Sequence, residues 1–115
     1  MKARIYHNPR CSKSRATLEL LQDRDLDIEI IEYLVMPPSA ETLQALLKKL
    51  GLQARDIVRS NETEFKESGL TLEASEEALI DLMTRFPKTI ERPIVEIGRK
   101  ARIGRPPEQI LEILE

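Results

Sequence analysis

The sequence predicts a mixed α/β domain in the order βαβ, helices, ββα, with a helical middle inserted between two strand-bearing ends. Three observations carry that expectation. Short β-branched runs sit near the two ends of the chain, leucines recur at helical spacing between them, and prolines and glycines punctuate the segments.

Each element has its own justification. Lys2 to Tyr6, with Ile5 and Tyr6, suits a strand that Pro9 prevents from continuing. Ala16, Leu18, Leu20 and Leu21 among polar residues then predict an amphipathic helix. The β-branched run from Asp27 to Tyr33 predicts a buried second strand, paired in parallel with the first as a right-handed βαβ unit. Pro37 and Pro38 end it, and Ser39 is a good N-cap for the next helix. There Leu43, Leu46, Leu47 and Leu50 follow the i, i+3, i+4, i+7 pattern up to Gly51, a helix stop.

Ala54 to Arg59 predicts a turn or two of helix, and Asn61 with Glu64 resembles a capping box opening a helix towards Gly69. Ser75 caps another, with Glu76 and Glu77 in its first turn and Leu79, Leu82, Met83 and Phe86 on one face before Pro87. Strands resume at Ile94 to Ile97, and Gly98-Arg99 is a hairpin turn before Lys100 to Ile103. Pro107 suits the first position of a last helix carrying Ile110, Leu111 and Leu114. Residues 1–34 and 88–115 are thus expected to form the strand-bearing core, and 39–87 the insertion, of a single domain.

Composition narrows the function classes. At 115 residues, 41% hydrophobic and 33% charged, the chain is an ordinary globular domain with room for a core. Its one cysteine makes no internal disulfide, and with one histidine it builds no tetrahedral zinc site. No apolar run is long enough to span a bilayer, and the first residues lack the apolar centre of a signal peptide, so a cytoplasmic location without membrane attachment is expected. A net charge of −2 argues against general nucleic-acid affinity. Yet residues 1–18 hold five Lys or Arg and no acid, and Gly98 to Pro107 holds Arg99, Lys100, Arg102 and Arg105 and no acid. Two basic stretches in an acidic protein suit convergence on an anion.

The stretch His7-Asn8-Pro9-Arg10-Cys11-Ser12-Lys13-Ser14-Arg15 places the cysteine between the first strand and the first helix. There the backbone N–H groups of Ser12, Lys13 and Ser14 have no partner within the helix and form an anion site. The same position favours thiolate over thiol, aided by Arg10, Lys13 and Arg15 and by His7. The element order is that of a thioredoxin or glutaredoxin core, in which a redox cysteine commonly opens the first helix and a cis-proline before the third strand faces it. Pro93 occupies that place, and a cis Arg92-Pro93 bond is expected.

The stretch 7–15, Tyr-Leu followed by Pro-Pro within 33–38, Glu-Arg-Pro-Ile-Val at 91–95 and Ile-Gly-Arg-Pro-Pro-Glu at 103–108 together resemble the glutaredoxin-coupled arsenate reductases across essentially the whole chain. The resemblance implies reduction of arsenate to arsenite through a cysteine–arsenic adduct on Cys11. It implies anion-binding arginines at Arg59, Arg92 and Arg105, with His7 helping to keep the thiol ionised and Ser14 hydrogen-bonding the sulfur. Ser12 and Lys13 stand where the better-known resistance enzymes have Gly-Thr. No bound cofactor is implied. Lacking a resolving cysteine, such a reductase needs glutathione as co-substrate and glutaredoxin as partner.

Rival functions are recognisable too. Cys11-Ser12-Lys13-Ser14 is a Cys-x-x-Ser pattern, compatible with a monothiol glutaredoxin-like thiol transferase. A non-enzymatic partner-binding protein, like the transcription regulators of this fold that bind RNA polymerase, often carries a Cys-x-x-Cys switch, which Ser14 removes. A phosphatase-like reductase needs Cys-x5-Arg, and position 17 is Thr17.

Overall fold

The fold is taken from a computed structural model that describes residues 2–114. Strand β1 (Lys2–Tyr6) leads into helix α1 (Ser12–Gln22) and strand β2 (Asp27–Ile31). Helices α2 (Ala40–Leu50), α3 (Ala54–Ile57), α4 (Thr63–Ser68) and α5 (Glu76–Arg85) follow, then a 3-10 turn over Pro87–Thr89. Strands β3 (Ile94–Ile97) and β4 (Lys100–Ile103) and a 3-10 helix over Pro107–Ile113 complete the order. Among the described residues one four-stranded sheet forms, in the order β2-β1-β3-β4. β1 pairs in parallel with β2 and antiparallel with β3, and β3 pairs antiparallel with β4, as a thioredoxin-like core requires.

The chain divides into two compact units, Met1–Met36 with Arg92–Glu115, and Pro37–Glu91. In the first, the two faces of the sheet are set by strand alternation. Ala3 and Ile5 of β1 and Val95 and Ile97 of β3 join Leu21 of α1 and Ile110 and Ile113 in one buried cluster. On the alternate positions Arg4 lies opposite Glu29 on β2 and Glu96 on β3 and pairs with both, at 3.0 and 3.1 Å. Opposite charges placed directly across both neighbours reinforce this register over a slipped one.

Two elements of this unit differ from expectation. β2 stops at Ile31 and lies at a sheet edge with its residues exposed or half-buried, because only β1 flanks it. The last helix is 3-10, with Gln109 N–H donating to Pro106 C=O at 3.0 Å. A repeat of three residues per turn brings Ile110 and Ile113 to one buried side and leaves Leu111 exposed. The hairpin turn is where expected: Gly98 takes φ 60° while Arg99 keeps negative φ, the pattern of a type II′ turn with glycine first.

In the second unit, α5 packs against α2, α3 and the Pro87–Thr89 turn, burying Leu43, Leu46, Leu79, Leu82 and Met83. Ser39 and Ser75 accept the N–H groups of Thr42 and Ala78 as N-caps, each at 3.1 Å. Gly51 ends α2 with φ 72°. The capping box expected at Asn61 and Glu64 is absent, because α4 opens at Thr63 with Glu62 as N-cap and the Glu62 carboxylate pairs with Arg59.

Candidate active site

The site is a strand-to-helix turn built by backbone bonds. As the chain leaves β1, His7 N–H still donates to Ile31 C=O of the neighbouring strand at 2.8 Å. Asn8 then shapes the loop: its C=O accepts from Cys11 N–H and its Oδ1 from Arg10 N–H, both at 3.0 Å. Arg15 Nη1 holds Pro9 C=O at 2.9 Å. Cys11 is the N-cap of α1, extended at φ −95° and ψ 122°, and its C=O accepts from Arg15 N–H at 3.0 Å. Its side chain caps no N–H by hydrogen bonding to α1 in the usual oxygen-acceptor way; it meets the first-turn amides as a sulfur.

The half-buried sulfur is surrounded by donors. Burial pushes the thiol up, but the N–H of Ser14, the guanidinium of Arg92 and the N–H of Lys13 together outweigh it and hold Cys11 below the ordinary thiol range. Arg105 adds a further donor, with Nη2 3.6 Å from Sγ. Arg105 also donates from Nε to Arg92 C=O at 2.7 Å, so one guanidinium ties the second arginine's backbone to the sulfur. Both arginines precede cis bonds, Arg92-Pro93 and Arg105-Pro106. The first was expected; the second was not.

Close packing holds these loops to α1. Gly104 N–H donates to Pro93 C=O at 2.9 Å. A Cβ on Gly104 would overlap Thr17 Oγ1 and stand 2.9 Å from Pro93 Cγ, so glycine is required for this approach. Thr17 is fully buried on α1 and donates to Lys13 C=O at 2.8 Å.

The predicted residues fall in different places. Ser14 meets the sulfur through its backbone N–H, while its hydroxyl lies 2.6 Å from His7 Nδ1 and accepts from Asn8 N–H at 3.0 Å. His7 is buried, and burial lowers its pKa, opposed by Glu32 and aided by Arg15. It contacts Ser14, which in turn meets the sulfur. The side chains of Arg10, Ser12, Lys13 and Arg15 are exposed, and Arg92 and Arg105 are the cations against the sulfur. Arg59 belongs to the second unit, where its Nη1 meets Glu91 at 2.7 Å and its Nε meets Glu62 at 3.1 Å. Its neighbours Ile57 and Thr89 form part of a short antiparallel contact: Arg59 N–H donates to Thr89 C=O at 2.7 Å and Glu91 N–H to Ile57 C=O at 2.8 Å. The Asn-Pro step before the cysteine is the local sequence signal for the loop that Asn8 shapes, whereas nothing in the sequence marks the Arg15 clamp on Pro9. Among the described residues no group of three His, Cys, Asp or Glu side chains is placed to hold a metal ion, and no helix is long and apolar enough to cross a membrane.

Residues 6–113 match the model of a family described as the ArsC family. The chain is 44% identical over 116 residues to a Haemophilus influenzae protein named arsenate reductase, covering 99% of this chain and 100% of that one. It is 53% identical to the Escherichia coli K12 protein named "Uncharacterized protein YfgD", covering 98% and 97% of the two chains. Among solved structures, an arsenate reductase from Vibrio cholerae superposes with a TM-score of 0.94 at 48% identity, covering 99% of this chain and 98% of that one.

Proposed function

Because the chain belongs to the ArsC family, we propose that it reduces arsenate to arsenite, with Cys11 as the nucleophile. The observation that carries this is the sulfur's surroundings: a thiol held below its usual pKa by two first-turn amides and Arg92, with Arg105 3.6 Å away. Arsenate is a tetrahedral oxyanion, so a thiolate approaching its arsenic meets like charge. Planar guanidiniums and helix N-terminal amides neutralise that charge and orient the oxygens. Arg92 and Arg105 are the proposed ligands, together with the amides of Ser12, Lys13 and Ser14. Arg59 is the proposed third arginine on the strength of the family resemblance, and an incoming oxyanion competes there with Glu62 and Glu91.

In the proposed first step a Cys11 S–As bond forms and one arsenate oxygen departs as water. Arsenic(V) then needs two electrons. Glutathione attacks the adduct, two sulfurs each surrender one electron as they join in a disulfide, and the pair passes to arsenic, which leaves as arsenite. Glutaredoxin then frees the thiols, because the chain has no second cysteine to do so. A cycle that consumes reduced thiols belongs in the cytoplasm. His7 acts by orienting the Ser14 hydroxyl and its turn.

Arsenate-dependent NADPH oxidation with glutathione, glutaredoxin and glutathione reductase tests this reading. Turnover in the wild-type chain and none in Cys11→Ser is the expected result. Turnover retained by Cys11→Ser removes the nucleophile, and no wild-type rate above the protein-free background removes arsenate as the substrate.

A further inference from the structure

The cycle leaves Cys11 bound to another atom that this chain, with one cysteine, cannot release alone. When the releasing thiol belongs to a protein, that protein must cover the surface around the sulfur. On the neighbouring loop stand three consecutive large apolar side chains, Leu34, Val35 and Met36, exposed by 41%, 76% and 70%. Scattered exposed apolar residues are ordinary, but a consecutive exposed run disfavours solubility, and Val35 and Met36 keep most of their surface out of the core.

The run is held in a defined turn. Tyr33, 1% exposed, points inward, and Glu32 C=O accepts from both Val35 and Met36 N–H at 2.9 Å. Its place follows from the parallel pairing of β1 and β2, which sends the His7 and Glu32 loops out of the same end of the sheet. Hydrogen-bonded turns close Asn8 to Cys11 and Glu32 to Val35. Summing two turns of at most 7 Å, one residue step of 3.8 Å and one strand spacing bounds the Cys11 to Val35 Cα distance at about 23 Å. A standard interface of ~800 Å² per partner is a disc about 32 Å across, wide enough to include both. On the Cys11 side, Arg10, Lys13 and Arg15 are exposed and basic.

We propose that the Leu34–Met36 turn is the docking surface for the protein thiol that restores Cys11. The fitting partner surrounds its reactive cysteine with apolar side chains and carries acidic groups on the edge facing Arg10 and Lys13. The inference rests on the thiol cycle proposed above, but its test does not need arsenate.

The test uses the full chain carrying glutathione in a mixed disulfide on Cys11, with glutaredoxin as the probe. The glutaredoxin thiolate attacks the glutathione sulfur, the S–S bond to Cys11 breaks, Cys11 leaves as thiolate, and glutaredoxin carries the new disulfide. Val35→Ser with Met36→Ser is expected to lower kcat/KM for glutaredoxin about tenfold, chiefly through KM. Release by dithiothreitol stays at the wild-type rate. Val35→Glu is expected to lose more than Val35→Lys, since it repels an acidic edge. An unchanged glutaredoxin kcat/KM in the double variant overturns the proposal, as does an equal fall in the dithiothreitol rate. A changed oligomeric state with unchanged kcat/KM also overturns it and assigns the patch to self-association. If the wild type does not reduce arsenate and the double variant still loses the glutaredoxin rate, the docking surface stands and the arsenate reading fails.

Discussion

Ser14 acts on two neighbours with two different groups, its N–H on the Cys11 sulfur and its hydroxyl on His7 and the Asn8 N–H. Ser14→Ala keeps the first and deletes the second, leaving the buried Asn8 N–H without the Ser14 acceptor. The expected cost is about 1–3 kcal/mol in urea unfolding, with only a small movement of the Cys11 titration. Arg92→Ala has the opposite profile. Arg92 lowers the thiol pKa, so its removal moves the pH midpoint of Cys11 alkylation upward and slows alkylation at neutral pH; an unmoved midpoint excludes Arg92 as the stabilising cation. His7 gives a stability signature. Its folded pKa is depressed below 6.5, chiefly by burial, so the unfolded chain binds more protons there, and stability is lost as the pH drops from 6.5 down to the folded value. Thermal melts from pH 8 to 5 are expected to show this slope and to lose it in His7→Gln. At this scale the sequence revealed Cys11, since its loop is too polar and basic for a core cysteine. It could not distinguish the amide of Ser14 from its hydroxyl, because both belong to one residue and only the direction of the first helical turn separates them.

At the scale of elements, the βαβ start was legible because its strand and helix periods differ and Pro9 separates them. Burial of β2 was not legible: the run Ile28, Ile30 and Ile31 suits a central or an edge strand alike, and only the order β2-β1-β3-β4 decides between them. The last helix failed for a related reason. Ile110 with Leu111 and Leu114 fits an α-helical stripe, while Ile110 with Ile113 fits a 3-10 side, and the core accepts the second pair. The most demanding contact between elements joins Gly104, after β4, to Thr17 on α1 and to Pro93 before β3. Buried hydroxyls at Ser14 and Thr17, on the inner side of α1, broke the apolar pattern and hid this contact from a count of leucines. Gly104→Ala is expected to cost about 1–3 kcal/mol by urea unfolding, since neither the proline ring nor the buried threonine can yield without moving its element. Unchanged stability would mean that the three segments separate without penalty.

For the whole molecule, the groups described against the Cys11 sulfur, from Lys13, Ser14, Arg92 and Arg105, belong to the unit formed by Met1–Met36 and Arg92–Glu115. Activation of the thiol is therefore a property of that unit, whereas the role of Arg59 is a property of the other. Leu82 is fully buried in the second unit, and Leu82→Ala is expected to cost about 2–5 kcal/mol of stability. Where the variant remains folded, its Cys11 alkylation midpoint should match the wild type. Arg59 was selected from among many arginines by family resemblance alone, and its pairing with Glu62 and Glu91 gives it a structural explanation that needs no substrate. The two roles separate in steady-state kinetics. As an oxyanion ligand, Arg59 lost to alanine raises KM for arsenate about tenfold and leaves the Cys11 alkylation midpoint in place. As a purely structural residue, the same change lowers the melting temperature and leaves KM at the wild-type value. Glu91→Gln completes the comparison: it weakens the competing ion pair, so ligand duty predicts a lower KM for arsenate, and a purely structural Arg59 predicts none.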